Sequence, residues 1–185
     1  MSSIITQGSA SGTGSMTLAA PVTNSNQTAT LPDATGTVMV SGNMPAFSAY
    51  GNTNQSVSSS TWTKVQLNAK NFDTANAFDA TTNYRFQPLV AGYYQFSGNS
   101  GNYSTSSALV VAQTALYKNG AAVYVTAINT SATTQCNTPV SGLIYLNGST
   151  DYVELYGYVN ASSGALFATN SFTTMYMTGV LVRAA

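Results

Sequence analysis

Two segments of the sequence alternate apolar side chains with polar or aromatic ones at every second position. In YVELYGYV (152–159), Val153, Leu155 and Val159 lie on one side, and a glutamate and three tyrosines lie on the other. TTMYMTGVLV (173–182) repeats the pattern with methionine, glycine and leucine on one side. A period of two is that of a β-strand, whose successive side chains point to opposite faces. No long stretch has the helical period, so the sequence predicts an all-β fold.

Two Asn-Gly pairs each separate two apolar runs. Asn119-Gly120 lies between ALVVAQTALYK and AAVYVTAI, and Asn147-Gly148 lies between VSGLIYL and STDYVELYGYV. Asn-Gly favours the type I′ turn, because both central residues of that turn need a positive φ. We therefore predict a β-hairpin at each pair. Short strands and turns throughout residues 45–185 indicate one sandwich or jelly roll.

Residues 1–44 differ from the rest of the chain. They contain no aromatic residue, and their only charge is Asp33. Short extended pieces are interrupted by Pro21 and Pro32, and proline pushes the residue before it toward an extended backbone. We predict an extended N-terminal attachment arm or stalk over residues 1–44, with a free flexible linker as the alternative.

The composition argues against several classes of function. Charged residues make up 5% of the 185, the formal net charge is zero, and there is no histidine. Five scattered cations cannot neutralise a phosphate backbone, so we expect no nucleic-acid partner. Without histidine there is no Ser-His-Asp triad, and one cysteine supports neither a disulfide framework nor a thiolate zinc site. No apolar run approaches the ~20 residues of a membrane span, and the first residues do not resemble a signal peptide. We expect no cofactor, no metal and no membrane insertion.

A spaced pattern of aromatic and glycine residues runs through the middle of the chain and returns near its end. It consists of Leu67, Asp73, Phe78, Phe86, Gly92, Tyr94, Phe96, Gly179 and Leu181. The spacing resembles the C1q-domain signature, which ends in G-x-Y-x-F, and LYKNG at 116–120 is similar to that family's L-x-K-N-G hairpin. This chain departs from the pattern at Leu67 and Gly98, where aromatics are usual. The resemblance implies a ten-stranded C1q-like jelly roll over residues 45–185 that assembles as a tight homotrimer and serves recognition, not catalysis.

A second resemblance lies in the predicted arm. NSNQTATLPDATGTVMVSG (24–42) is similar to the T-x-T-L-P-D-x-T-G-T segments of bacteriophage fibre and virion surface proteins. It implies a location on the virion surface and an arm that binds other virion proteins.

Tyrosines give the predicted strands a second bulky face. A sandwich strand has only one inner face, so a second apolar face needs another partner. Tyrosine suits interfaces because its ring buries area while its hydroxyl keeps a hydrogen bond. The candidates for the trimer interface are Tyr152, Tyr156, Tyr158 and Tyr176; a tyrosine-decorated outer surface is the alternative.

The five acids offer little for catalysis. Asp73 and Asp79 flank FDTANAFD, where a turn-stabilising role is favoured over a carboxylate pair or a calcium site that includes Asn76. Asp151 and Glu154 fall on opposite faces of a regular strand, which argues against a pair.

Two further residue types occur once each. We expect Cys136 to be a buried, unreactive thiol, since no activating group is evident beside it. Trp62 is assigned to core or interface packing, with contact to a glycan as the alternative.

Three functions remain after these exclusions. The first is a non-enzymatic capsid-surface decoration protein or head fibre, attached by the arm. The second is the receptor-binding tip of a tail or baseplate fibre that binds host surface glycans. An enzyme is the third, and the absent histidine and sparse acids argue against it.

Overall fold

The computed structural model describes residues 11–13, 22, 24–26, 28, 44–169 and 174–185. The chain divides into two units, Met1–Gly36 and Thr37–Ala185. Apart from a few positions, the predicted arm lies outside the described residues, and it stays a prediction.

Fifteen β-strands and no helix occur in the described part of the chain. No helix that could cross a membrane is therefore found there. In chain order the strands are β1 (Ala46–Tyr50), β2 (Gln55–Ser56), β3 (Thr63–Lys64), β4 (Ala69–Asp73), β5 (Phe78–Asp79), β6 (Arg85–Phe86), β7 (Gly92–Asn99), β8 (Asn102–Ser104), β9 (Leu109–Lys118), β10 (Ala121–Asn129), β11 (Gln135–Cys136), β12 (Val140–Leu146), β13 (Val153–Ala161), β14 (Ala165–Phe167) and β15 (Tyr176–Ala184).

Eleven of these strands form the two layers of a sandwich. Sheet I has the order β12-β7-β15-β1-β4, and sheet II has the order β10-β9-β13-β6-β5 with β3 also paired to β13. Every pairing is antiparallel, and a small third sheet has the order β11-β8-β14-β2. The prediction of an all-β jelly-roll sandwich is confirmed, and its two layers contain eleven strands where ten were expected.

Aromatic rings from both sheets meet in the core. Phe47 of sheet I stacks on Phe86 and Phe78 of sheet II, with ring centroids 4.4 and 5.1 Å apart. Tyr94 and Phe96 of β7 approach Phe86 edge-on at 5.5 and 5.8 Å. All five rings are buried, and stacked or edge-on aromatic pairs add to the stabilisation that burial provides. The core thus joins the two sheets through one continuous aromatic cluster.

The alternation in β13 and β15 follows the sequence pattern. Val153, Leu155 and Val159 are fully buried, as are Met177 and, nearly, Leu181. Their neighbours in sequence point to the outer faces, except that Glu154 is covered there as well.

The two Asn-Gly pairs have different structures. At Asn119 and Gly120 φ is 52° and 81°, and Lys118 pairs with Ala121, so this hairpin is confirmed. The hairpin predicted at Asn147-Gly148 is wrong, because β12 pairs with β7 in sheet I and β13 joins sheet II. Asn147 Oδ1 accepts the N–H groups of residues 149–151. The side-chain amide therefore supports a loop that crosses between the sheets.

Candidate recognition site

The signature residues lie in and around the aromatic core. Leu67, Phe78, Phe86, Tyr94, Phe96 and Leu181 are buried, and Gly92 and Gly179 lie in β7 and β15. A Cβ at Gly179 would lie 2.6 Å from the Phe47 ring and 2.8 Å from that of Phe96. The glycine is required because these rings occupy the space of a side chain. Tyr94 Oη donates to the Val90 carbonyl at 2.7 Å, and burial raises the pKa of Tyr94 to about 12.

Asp73 closes the turn after β4. Its two carboxylate oxygens accept the N–H groups of Ala77 and Phe78 at 3.0 and 2.9 Å. Lys70 Nζ lies 3.0 Å from Asp73 Oδ2. The carboxylate and this lysine neutralise each other's charge, and the backbone hydrogen bonds to Asp73 stabilise the turn.

Four aromatic side chains form a group on the outer face of sheet II. Tyr117 and Tyr156 stack with ring centroids 4.0 Å apart. Trp62 lies 5.5 Å from Tyr158 and 6.1 Å from Tyr117, in tilted arrangements. All four, called the aromatic group below, are half-buried, and burial raises the pKa of the Tyr117 and Tyr156 hydroxyls.

The four tyrosines predicted as one interface do not share a face. Tyr156 and Tyr158 belong to the aromatic group, and Tyr152 lies under the guanidinium of Arg85 at 4.3 Å. Tyr176 lies in sheet I, where it pairs with Tyr50 of β1. The two-residue period of β13 and β15 does not show that these strands lie in different sheets.

The buried acids of sheet II are paired with different lysines. Glu154 Oε1 lies 2.5 Å from Lys64 Nζ, and Asp151 Oδ2 lies 2.8 Å from Lys118 Nζ. Hydrogen bonds from Lys118 and Asn119 hold the pKa of Asp151 below its ordinary value. Each of these two acids is thus neutralised by a lysine of its own.

The outer face of sheet I carries large apolar side chains that remain exposed to solvent. Leu143, Tyr145, Tyr93, Val180 and Val182 are 41–60% exposed there. We call these five residues the apolar face. The tyrosines predicted for the interface do not include any of these five residues. The signal of this face in the sequence is the apolar run LIYL in β12 and the adjacent Tyr93 and Tyr94 in β7, since large apolar residues at successive positions indicate a strand covered on both sides.

The edge strand β10 continues this exposed surface. Val123, Val125 and Ile128 are 40–50% exposed. Tyr124 lies across Gly142 of β12 and donates from its hydroxyl to the Leu143 carbonyl at 3.1 Å. A depression of about 300 Å³ lies where β10 and β12 meet. The β10 edge therefore adjoins the apolar face.

A polar pocket of about 510 Å³ lies at the other edge of sheet II. Its walls include Asn76, Asn83, Gln87, Asp79 and Arg85. Asp79 accepts backbone hydrogen bonds from residues 81–83, and those from Thr82 and Thr81 are the largest cause that keeps its pKa far below the ordinary value. Asp79 thus orders the loop that forms one wall.

Cys136 was expected to be buried, but the structure shows it only half-buried. It packs against the edge of the core, and burial raises the pKa of its thiol, which favours the unreactive protonated form. Among the residues that the structure describes, no three His, Cys, Asp or Glu side chains come together as metal ligands.

Solved structures provide the comparison that identifies the fold. The chain is similar to murine APRIL, of the TNF family, with a TM-score of 0.55, 9% identity, and coverage of 76% of this chain and 100% of that one. It is also similar to the globular domain of zebrafish complement 1qA, with a TM-score of 0.51, 18% identity, and coverage of 76% and 99%. The fold is that of the C1q/TNF jelly roll. No protein-family model and no curated protein matches the chain.

At these sequence identities, the similarity to C1q and TNF structures establishes the backbone fold alone. What the surface of this protein binds must be argued from its own residues. Its apolar face, aromatic group and polar pocket all lie outside the shared core. The exterior therefore supplies the arguments for function.

Proposed function

We propose that this chain is a non-enzymatic virion structural protein, a capsid-surface decoration protein or head fibre with a homotrimeric C1q/TNF-like recognition head. The predicted arm over residues 1–44 attaches it to other virion proteins. The observation that carries the trimer is the apolar face of sheet I with the apolar edge of β10 beside it. The resemblance of residues 24–42 to virion surface proteins supports the location.

An uncovered edge strand with valines and an isoleucine is a liability for an isolated sandwich, because its free N–H and C=O groups accept another strand or sheet. The apolar face needs cover for a different reason, since contiguous apolar surface marks an interface. The two surfaces adjoin but differ in shape. A contact from the β10 edge of one copy to the apolar face of the next is head-to-tail, and such a contact closes into a ring under rotational symmetry. A trimeric ring covers both surfaces in every copy.

The mass of the assembled protein tests this geometry. Native mass spectrometry and sedimentation of the unmodified chain are expected to give a trimer. Val180→Asp places a charge within the apolar face and should shift the protein to monomer at micromolar concentration, because an unpaired charge is costly to bury. Val111→Asp on the outer face of sheet II is the matched control and should stay trimeric. A monomeric unmodified chain, or equal effects of the two substitutions, contradicts the proposal.

The arm and the head are separable in this proposal. A chain that lacks residues 1–42 should remain a folded, soluble trimer that no longer attaches to particles. Immunogold electron microscopy with antibody against the head should label the capsid. Label confined to the end of the tail contradicts decoration and favours a receptor-binding tip.

A receptor-binding tip for host surface glycans is the second candidate, favoured by the aromatic group. Sugar rings stack their C–H faces on aromatic side chains, and Trp62 is half-exposed beside Tyr158. Trp62 is the chain's one tryptophan, so its fluorescence reports on this site alone. Saturable changes on titration with glycans, lost in Tyr158→Ala and kept in Tyr145→Ala, favour this function. An unchanged signal across a glycan set argues against it.

A further inference from the structure

The polar pocket lies between the loop after β5 and strand β6. Amides of Asn76, Asn83 and Gln87 and the hydroxyl of Thr81 line it, together with the charged groups of Lys70, Arg85 and Asp79. Four apolar residues complete the lining: Ala77, Phe78, Ala80 and Leu89. Its volume of about 510 Å³ lies in the range of small-molecule sites. Such a set of neutral donors and acceptors suits a polyhydroxylated ligand.

Two of the pocket's three charges are already satisfied within the chain. Lys70 Nζ lies 3.0 Å from Asp73 Oδ2 and 3.3 Å from the Phe78 carbonyl. Asp79 accepts hydrogen bonds from residues 81–83, including both the N–H and the hydroxyl of Thr81 at 2.9 Å. Neither group needs a ligand to balance its charge.

Arg85 is the third charge. Its hydrogen-bond and ring partners are neutral, and in the strand register it lies opposite Asp79 and Glu154 without an ion pair to either. It donates to Gln87 Oε1 at 2.8 Å, and its guanidinium lies 4.3 Å from the centre of the Tyr152 ring. The ion pairs of the described residues join Lys64, Lys70 and Lys118 to carboxylates and do not include Arg85. A guanidinium has five N–H donors in a planar fork, so most of its donors remain available. Tyr152 and Gln87 hold this fork in place at the pocket wall.

The charge of the pocket selects one class of ligand. A guanidinium and a carboxylate match each other bidentately, in a short and strong pair of hydrogen bonds. Any anion in this pocket also faces the ionised Asp79, and a doubly charged phosphate is repelled more strongly there than a singly charged carboxylate. One monovalent carboxylate beside several hydroxyl groups fits Arg85, the pocket cation outside the ion pairs of the described residues, and the polar part of the lining.

We propose that the polar pocket binds an acidic sugar of a surface glycan, a uronic or neuraminic acid, with its carboxylate on Arg85. This inference rests on the recognition role proposed above for the head. The sugar hydroxyls donate to the side-chain oxygens of Asn83 and Gln87, whose NH2 groups already donate to Asp79 and to the Ser149 carbonyl.

Calorimetry on the full chain tests this with glucuronate, galacturonate and N-acetylneuraminate as probes. At least one of them should bind saturably, while glucose, the methyl ester of glucuronic acid and inorganic phosphate should not. Arg85→Gln should weaken binding by about 10- to 100-fold, the usual value of a hydrogen bond to a charged group. Arg85→Lys should recover only part of this loss, because lysine keeps the charge without the fork.

Arg183→Gln is the matched control, since Arg183 is exposed on β15 and also outside the recorded ion pairs of the described residues. It should bind as the unmodified chain does. The ester comparison needs no substitution, so it decides the question even where Arg85→Gln fails to fold. Binding of none of the acids, equal binding of the ester or of phosphate, or full binding by Arg85→Gln overturns the inference.

The oligomeric state of each sample separates this result from the proposed assembly. A trimer that binds no acidic sugar overturns the pocket and leaves the trimeric head standing. A monomer that binds uronate through Arg85 supports the pocket and contradicts the trimer.

Discussion

The outer faces of the two sheets carry similar residue types in different states. On sheet II, Tyr117 stacks on Tyr156, Trp62 contacts Tyr158, and a buried glutamate is paired with a lysine. On sheet I, Leu143 is 46% exposed and Val182 is 60% exposed. Bulky side chains on the outside of a sandwich thus either pack against one another within the chain or leave apolar surface exposed to solvent. Only the second condition calls for another copy, and it occurs on the outer face of sheet I.

The largest expected loss of stability comes from substitutions on the inner side of sheet I. We compare it with a substitution on the outer side of the same strand. Tyr94→Ala and Phe96→Ala should each lower the free energy of unfolding by about 3–5 kcal/mol, because each empties a buried aromatic site. Tyr93→Ala, on the same strand but facing outward, should cost under about 1 kcal/mol in the dilute monomer. Denaturant melts measure all three. A nearly neutral Tyr94→Ala would show that the C1q-like signature is misaligned.

The next effect tests whether the outer face of sheet II is complete within one chain. Lys64→Met leaves the Glu154 carboxylate buried without its cation, and we expect a loss of about 3 kcal/mol of folding free energy. Assembly should be unchanged. Arg183→Met on sheet I is the control and should change stability little. A loss of the trimer in Lys64→Met, seen by sedimentation, would mean that the outer face of sheet II takes part in assembly in addition to the β10 edge.

A smaller effect depends on pH and concerns the loop beside the polar pocket. Hydrogen bonds hold the pKa of Asp79 below its ordinary value of 3.8, so the folded protein keeps this carboxylate ionised when the unfolded chain would protonate it. The resulting stabilisation is fully present above pH 4 and is lost as the pH falls below that value. Asp79→Asn should lower stability at pH 7 by about 1–3 kcal/mol.

Thermal melts between pH 7 and pH 2 measure this contribution. The difference in stability between Asp79→Asn and the unmodified chain should shrink toward acid pH. A difference that stays constant over this range contradicts the role of the ionised carboxylate.

The smallest effect compares the two aromatic pairs on the outer faces. Double substitution to alanine at Tyr117 and Tyr156 should reveal a coupling energy of about 0.5–1.5 kcal/mol, since their rings are stacked. Tyr93 and Tyr145 lie 5.4 Å apart and tilted by 56°, so their coupling in the dilute monomer should be smaller. Denaturant melts of the two cycles make the measurement. Equal coupling energies would contradict the difference between the two faces, in which the aromatic rings of sheet II pack against each other and those of sheet I remain exposed.

Several candidate-site features were within reach of sequence reasoning, and others were not. Trp62 was named as a possible glycan contact, and its place beside Tyr158 keeps that hypothesis open. The sequence does not show that Tyr176 and Tyr156 lie on different sheets, because strand period indicates which residues share a face of one strand and not which strands share a sheet. Their role in a trimer interface stays a prediction. The sequence does not distinguish Arg85 from the other cations, because its lack of an ion pair depends on where the tertiary structure places the carboxylates.

The sequence by itself determined the all-β class, the inward side chains of β13 and β15, and the turn at Asn119-Gly120. These depend on local physics: the two-residue period of a strand and the positive φ that Asn and Gly tolerate. Only the tertiary structure decided that Asn147-Gly148 crosses between the sheets. It also decided that one outer face is satisfied and the other exposed, and that Arg85 borders a pocket. Those outcomes follow from contacts between residues far apart in the chain, since burying the core assigns each strand to a sheet and thereby places every outward side chain beside its neighbours.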